Sequence, residues 1–438
     1  MPQNPRNFSA LFGKHLRIVT ISVTAAAALA TVGSTASADP RDQSGAVKQL
    51  FTIPVPKAPT NTTGGMYGFD ISFVDSTTQT YYLGDRSNAA VDVVDAKTGV
   101  FLKQITASPP FAGVKLNTTG TAVNNNISGP NGVAASGNCL FAGDGPSRVV
   151  SFSLPGGTQV SDFSTGGMAR ADEMAFDPKD RVLVVANNAD SPPFATLINV
   201  DMNCKLTLRA KTLFTFATNG AEQAVWNPMD DKFYQSIPST SGTTASPGTT
   251  GAIIRINPLT GAVEETFPIP SCMPAGLALG PDQTFLAGCS VVYDTTLFNP
   301  WSGADTLSAD PLQVIMDANG NLTFVQGVGS SDEVWFNSGD NRYYTGSWRA
   351  CGLPGGCPAP NGGAVLGVIN AGSNLLIEKI PQSQGTHSVA ADPRLNRIYV
   401  PQVAPFAVVG AGGDTTSVGA GICGSNNGCV AVYVHSSY

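Results

Sequence analysis

Seven positions along the chain carry most of the residues that could do chemistry, and each of them opens a similar segment. They are Asp70, Asn131, Asp172, Glu222, Ala275, Asp332 and His387. Six of the seven side chains can ligate a metal, and carboxylate and amide oxygens favour calcium or magnesium. Four carboxylates that converge cannot all stay ionised without a cation. We therefore predict a divalent metal site, with calcium as the leading ion. The predicted ligands are Asp70, Asn131, Asp172, Glu222 and Asp332.

The alternative to a metal is a ring of polar residues, partly protonated, around water. His387 titrates near neutral pH, which makes it the candidate catalytic base. A bound cation would polarise a substrate carbonyl and lower the pKa of its own water, while His387 takes or gives the proton. Arg86, Arg170 and Arg349 are candidates for holding an anionic substrate, and Trp348 for a wall of the site. Each of these four could instead be an ordinary surface or packing residue.

The elements that would position these residues repeat along the chain roughly every 50 residues, which is typical of propellers. Each unit begins with a polar residue and an apolar strand, followed by a turn residue and a second apolar strand. The turn residues are Asp75, Ser136, Asp177, Asn227, Gly280, Asn337 and Asp392. Third and fourth strands follow, such as residues 91–95 and 100–105. The pattern predicts an all-β fold, a seven-bladed β-propeller with four antiparallel strands per blade.

The ends of the chain are expected to meet in one blade. The seventh unit offers only three strands before the chain ends, and residues 49–55 form an unassigned apolar strand. Closure by this N-terminal strand would leave no open seam. Because the first strand of each blade lines the central channel, these seven positions, six of them polar, would converge at one channel mouth. Long loops between the second and third strands would wall the same face.

Two segments resemble the YVTN-type propeller repeat. They are residues 183–188, with the sequence LVVANN, and residues 397–402, with the sequence RIYVPQ. Residues 91–95 followed by Lys97-Thr98-Gly99 are similar to the same repeat. The resemblance extends over most of the chain as a repeat pattern. It implies the propeller fold and says little about function.

The predicted site is similar to that of gluconolactonase-like propellers, which hold one divalent ion at the channel mouth with Glu, Asn and Asp ligands. It also resembles calcium propellers of the paraoxonase type, in which a His acts beside the metal. Carried over, these resemblances imply metal ligands at Glu222, Asn131, Asp172 and Asp332, and a base at His387. Those families are six-bladed, so the resemblance concerns site chemistry. In its predicted seven-bladed shape, the chain instead resembles the virginiamycin B lyases.

Composition narrows the class of protein. Of the 438 residues, 42% are hydrophobic and only 13% charged, which excludes disorder and coiled coils. The 48 Gly and 31 Pro favour strands and turns over helices. A formal net charge of −7 argues against a nucleic-acid partner, which requires a basic face.

The N-terminal segment has the pattern of a secretory leader. Arg6, Lys14 and Arg17 precede an apolar run, which ends at Ala36-Ser37-Ala38. We predict a signal peptide over residues 1–38 and a propeller domain over residues 39–438. The run is too short and too polar for a membrane span, so no membrane insertion is expected. The predicted location is secreted or periplasmic.

Eight cysteines lie after this leader, an even number that indicates four disulfides in an exported protein. Cys351–Cys357 and Cys423–Cys429 each close a short Gly-rich loop. Positions within the repeat pair Cys139 with Cys204 and Cys272 with Cys289, because each pair falls on one face. Zinc is excluded, since C-x-x-C spacing is absent and His is rare.

These observations lead to an exported, metal-assisted propeller enzyme that hydrolyses or opens a small ester or lactone. The alternative is a non-catalytic secreted propeller that binds a ligand, glycan or protein on its loop face. Convergent acids with one base favour the enzyme, because a binding module needs neither. A small molecule is the expected partner, and a monomer the expected state.

Overall fold

Antiparallel strands supply nearly all of the regular structure in the computed structural model, which describes residues 46–120, 123–293, 311–348, 363–405 and 417–435. The first strand, β1 (Val47–Pro54), joins the last sheet and is considered with it. Three four-stranded sheets follow, each with its strands paired in chain order. Their strands are β2 (Ser72–Asp75), β3 (Thr80–Asp85), β4 (Ala90–Asp95) and β5 (Val100–Ile105); β6 (Val133–Ser136), β7 (Cys139–Asp144), β8 (Arg148–Ser153) and β9 (Thr158–Ser164); β10 (Met174–Asp177), β11 (Val182–Asn187), β12 (Phe194–Val200) and β13 (Leu206–Leu213).

The next two groups of four strands share one sheet of eight. A single parallel contact between Thr250 and Cys272 joins them. The first group contains β14 (Ala224–Asn227), β15 (Lys232–Ile237), β18 (Thr250–Ile256) and β19 (Val263–Pro270), with a small hairpin of β16 (Gly242–Thr243) and β17 (Ser246–Pro247) inserted. The second group contains β20 (Cys272–Leu279), β21 (Phe285–Val292), β22 (Leu312–Met316) and β23 (Leu322–Gln326).

The last two sheets complete the described chain. The first comprises β24 (Ser331–Asn337), β25 (Arg342–Ser347), β26 (Val365–Asn370) and β27 (Leu375–Pro381). The second comprises β28 (Ala390–Asp392), β29 (Arg397–Gln402), β30 (Cys429–His435) and β1, in the order β1-β30-β29-β28. A short helix, α1 (Val418–Cys423), precedes β30. The N-terminal strand therefore lies beside the last strand, the neighbour that the sequence predicts for residues 49–55.

The repeated turn residue explains where the first strand ends in five of the seven groups. Asp75 accepts a hydrogen bond from the amide of Thr77 (2.8 Å), and Asp177 accepts one from Lys179 (2.8 Å). Asn227, Asn337 and Asp392 accept the equivalent bond. Such side-chain turns compete with the strand ladder and reverse the chain. The fifth group differs, because Gly280 follows the strand end at Leu279 and leads into a 3₁₀ turn.

Neighbouring sheets pack face to face through apolar side chains. One core combines Val91 and Val93 of the first sheet with Leu140 and Val150 of the second. Tyr81 of the first sheet stacks on Tyr399 of the last, with ring centroids 5.1 Å apart. Such burial, at about 25 cal/mol per Å² of apolar surface, is the main stabilising term.

The strands β2, β6, β10, β14, β20, β24 and β28, called the inner strands here, contact one another between sheets. Glycine permits part of this approach: a Cβ on Gly84 would lie 2.5 Å from the Asn131 carbonyl oxygen of the next sheet. One cavity is lined by residues from six of the seven inner strands. The architecture is all-β and propeller-like.

Three predicted disulfides are confirmed. Cys139–Cys204, Cys272–Cys289 and Cys423–Cys429 are bonded, with Cα atoms 5.5, 5.2 and 5.7 Å apart. The predicted Cys351–Cys357 pair and the predicted leader over residues 1–38 lie outside the described residues. Among the described residues, no helix has the length and apolar character to cross a bilayer.

Candidate functional site

Four of the predicted site residues occupy equivalent backbone positions at the start of the inner strands. The amide of Asp70 donates to the carbonyl of Gly84 (2.8 Å), and that of Asn131 donates to Gly143 (2.9 Å). The amides of Asp172 and Glu222 make the same bond to the second strands of their own groups. His387 precedes β28, and its carbonyl accepts from the amide of Glu333 (3.0 Å). Asp332 lies in β24, and Ala275 lies in β20.

Arg86 connects the first two predicted ligands. Its guanidinium forms a salt bridge with Asp70 and donates from Nε to Asn131 Oδ1 (2.9 Å). Its Nη1 donates to Asn125 Oδ1 (3.1 Å). The side chain is 4% exposed, and that of Asp70 is 8% exposed. A buried charge requires such compensation, so Arg86 holds Asp70 ionised.

Arg170 plays the corresponding part for Asp172. Its Nε lies 2.6 Å from Asp172 Oδ2, and both side chains are largely buried. The charge of Arg170 also acts on Asp70 and Glu222. We call the set formed by these groups the polar cluster. Its members are Asp70, Arg86, Asn131, Arg170, Asp172, Glu222, Asp332 and His387.

His387 is fixed on three sides. Its Nδ1 lies 2.7 Å from the carbonyl oxygen of Gly385, which can only accept, so Nδ1 carries a proton. Its Nε2 lies 3.4 Å from Asp70 Oδ1, and its ring stacks on Phe69 at 4.8 Å. Burial lowers the pKa of His387, but Asp70 and Asp332 outweigh burial and raise it above the usual value. Nε2 is therefore the titrating nitrogen, and the cationic form is favoured.

The carboxyl groups of the polar cluster differ in protonation. Burial opposes ionisation of Asp70, but Arg86 and His387 hold its pKa below the usual range. Burial, together with the charges of Asp172 and Asp332, raises the pKa of Glu222 to about 8. Burial raises the pKa of Asp172 to about 6, with Arg170 opposing the shift. Neighbouring acids with separated pKa values are the arrangement that general acid–base chemistry uses.

A pocket of about 190 Å³ brings together three of the predicted residues. Arg86, Trp348 and His387 line it, with Phe69, Tyr67 and Asn125. A second cavity of about 300 Å³ is lined by Glu222, Asn188 and Asp190, among others. Arg170 is bonded to Asp172 and lines neither. Arg349 lies outside the described residues.

The donor atoms, as placed, do not fit a divalent ion. Asp70 and Asn131 are bonded to Arg86, and Asp172 is bonded to Arg170, which leaves only Glu222 and Asp332 without an arginine. Within the described ranges, no group of three or more His, Cys, Asp or Glu side chains is arranged to hold a metal. The cation that converging acids need is supplied here by two guanidinium groups. The calcium site stays a prediction.

Sequence reasoning missed a second layer of polar residues, one position further along three of the inner strands. Glu173 and Glu333, the glutamate pair, each influence the pKa of the other carboxyl group. Gln223 donates from Nε2 to Glu333 Oε2 (3.5 Å). The available signal was the Asp-Glu dipeptide at residues 172–173 and 332–333. Asn125 and Phe69 were also missed, and they carry no repeat signal.

The sequence matches no family model and no curated protein. Among solved structures, the chain is similar to hydrazine synthase from Kuenenia stuttgartiensis, with a TM-score of 0.57 and 12% identity. The match covers 80% of this chain and 96% of that chain. At this identity the likeness concerns the fold alone. Because 1524 solved chains match, the fold does not select a function.

Proposed function

We propose that this chain is an exported, closed seven-bladed β-propeller whose channel mouth binds a small ester or lactone and hydrolyses or opens it. Contacts between inner strands support the blade count. Followed from β2 through β6, β10, β14, β20, β24 and β28, they lead back to β2. The pairing of β1 with β30 supports closure in the last blade. The bonded cysteines fit an oxidising compartment.

The observation that carries the catalytic proposal is the 190 Å³ pocket with His387, Arg86 and Trp348 in its wall. His387 has a proton on Nδ1 and a raised pKa, so it can enter the reaction as the imidazolium. In that form it acts as a general acid. Arg86 places a positive charge beside the same pocket, where an oxyanion or a carboxylate would be stabilised.

The chemistry is written for an ester or lactone whose carbonyl lies in this pocket. Water adds to the carbonyl carbon, and Asp332, whose charge acts on His387, accepts the proton that the water loses. The bond from the carbonyl carbon to the ring or ester oxygen then breaks. His387 Nε2 gives its proton to that oxygen, which leaves as a hydroxyl group. No step is assigned to a metal, because arginines are bonded to three of the five predicted ligands.

The test is hydrolysis of p-nitrophenyl acetate and δ-valerolactone by the full chain. His387→Gln is expected to lower kcat by about 100-fold or more, since positioned acids contribute about 10²–10⁴. Met202→Gln, at a turn residue that is 69% exposed, is the control and keeps activity. Parent activity that a chelator abolishes and calcium restores would establish the metal-assisted form instead. Parent inactivity on both substrates would refute this catalytic proposal.

A second candidate function is non-catalytic binding of a ligand, glycan or protein on the loop face. It is favoured by Arg86, because the guanidinium donates its hydrogen bonds to Asp70, Asn125 and Asn131 within the protein. Such a group can act as structural support. Saturable binding of a small carboxylate at the pocket without turnover, weakened by Trp348→Ala, would favour this candidate.

Export and oligomeric state are part of the proposal. Cleavage after Ala38 predicts a mature chain that begins at Asp39, which N-terminal sequencing of the exported protein checks. The mature protein is proposed to be a monomer, as light scattering would determine.

A further inference from the structure

A third cavity, distinct from the two described above, lies among the inner strands. Its volume is about 310 Å³, and residues of six inner strands line it. Glu173, Gln223 and Glu333 form its polar end, directly after the residues of the polar cluster in sequence. The other end reaches Pro178, at the strand ends, where the chain is exposed. The cavity is therefore separate from the pocket beside His387.

Five aromatic side chains line this cavity among aliphatic ones. They are Phe73, Phe176, Trp226, Trp335 and Phe336, each within two residues of the turn residue that ends its strand. Phe73 meets Trp335 edge to face, with ring centroids 5.6 Å apart. Each of these side chains is only partly buried. Aromatic faces carry negative potential and attract organic cations.

The polar end of the cavity presents acceptors. Glu333 is fully buried, and its Oε1 has no fixed N–H or O–H donor. The side chain of Gln223 is fixed in place, because its Oε1 accepts a hydrogen bond from the amide of Leu277 (2.6 Å). Burial, and then the neighbouring negative charge of the partner carboxyl, raises the pKa of Glu173 well above its usual value. Unlike the polar cluster, the glutamate pair has no arginine bonded to it among the described residues.

We propose that this cavity binds a small primary amine with an aromatic or alkyl group, its ammonium at the glutamate pair and its apolar part against the tryptophans. The ammonium offers three donors to the carboxyl oxygens, including Glu333 Oε1, which has no donor of its own. The apolar part gains burial, and the positive charge gains from the aromatic faces. An anion would be repelled, and a neutral alcohol would gain neither charge interaction.

Binding of the ammonium ionises the glutamate pair. One carboxyl group gives its proton to the solvent, and the amine stays protonated. The site therefore loses one proton and gains one ammonium ion, so its net charge does not change. Binding must then release protons, and affinity must increase with pH until the free pair is itself ionised.

The experiment is calorimetric titration of the full chain with phenethylamine, at pH 6.0 and 8.0 and in two buffers of different ionisation enthalpy. We expect saturable binding, proton release, and an affinity that is higher at pH 8.0. The matched neutral probe is 2-phenylethanol, which has nearly the same shape and is expected to bind about tenfold more weakly or worse.

Glu333→Gln is the decisive variant, because it keeps the shape and removes one of the two ionisable groups. It should fold as the parent does, with phenethylamine binding reduced about tenfold or more and proton release changed from the parent value. Trp226→Leu keeps the glutamate pair and should weaken binding several-fold. Glu265→Gln, on the outer strand β19, is the control and should bind like the parent. Undiminished binding by folded Glu333→Gln, or equal binding of the alcohol, would overturn the proposal, as would no binding by the parent.

Discussion

The polar cluster and the glutamate pair lie next to each other in sequence, and both contain buried carboxyl groups. The two sets differ in how burial of these groups is compensated. Asp70 and Asp172 are bonded to Arg86 and Arg170, and so they can be buried as anions. Glu173 and Glu333 have each other instead, and burial raises the pKa of both well above the usual value. Burial of an acid therefore does not indicate its charge. The partner residue decides it.

The largest effect is expected from removing the arginine partner of an ionised carboxylate in the polar cluster. Arg86→Met leaves Asp70 as an uncompensated buried charge, which should lower the free energy of unfolding by about 3–5 kcal/mol. Urea unfolding at pH 7 measures this. Adding Asp70→Asn to Arg86→Met should recover much of the loss, because the stranded charge is removed. A loss below about 1 kcal/mol for the single variant would show that Asp70 is not held by Arg86.

The second prediction concerns pH. The pKa of Glu222 is raised to about 8, so the native state keeps a proton that the unfolded state loses above its ordinary value of 4.5. Its contribution to stability must therefore fall as pH rises from about 5 to 8, with a slope of about 1 kcal/mol per pH unit. Glu222→Gln, which keeps the acceptor for Asn188, should remove that slope. Unfolding series at pH 5, 6, 7 and 8 test it, and parallel curves for parent and variant would contradict it.

The third prediction concerns the glutamate pair, whose carboxyl groups have raised pKa values. Glu333→Gln removes no bonded ion, so at pH 7 its free energy of unfolding should stay within about 1 kcal/mol of the parent value. Because burial raises the pKa of Glu333, the parent should lose stability relative to the variant as pH rises. Thermal melting at pH 6 and 9 gives both values. A strongly destabilised variant at pH 6 would mean that the pair is ionised after all.

The smallest effect is expected from metal removal. With two arginines among the acids, a chelator should shift the melting temperature of the parent by less than about 1 °C. Mass action requires a larger shift from a tightly bound ion. A clear rise in melting temperature with added calcium, absent in Glu222→Gln, would reverse this expectation and support the predicted metal site.

The fold was predictable because its signals are local. Asp75, Asp177 and Asn227 form their turns with amides two residues away, so the repeat shows in the sequence. Two disulfide pairs followed from positions in the same repeat, and Cys423–Cys429 from the short loop that it closes. The convergence of Arg86 and His387 on one pocket was expected, but the bonding of Arg86 was not. Arg86 leaves β3 and reaches Asn131 of the next sheet, a contact that depends on tertiary geometry. The role of Glu173 was missed because only the first residue of each repeat was weighed.

The pairing of β1 with β30 sets an order of events during biosynthesis. β1 is made among the first described residues, and its partner strand is made last. For most of translation, β1 has no partner strand, and its amides and carbonyls are unpaired within the chain, the condition that invites association with other chains. The last sheet cannot assemble until the whole chain has emerged. A nascent chain that ends anywhere before Cys429 would therefore keep β1 as an unpaired strand. Quality-control proteases could use this unpaired strand to distinguish unfinished molecules from finished ones.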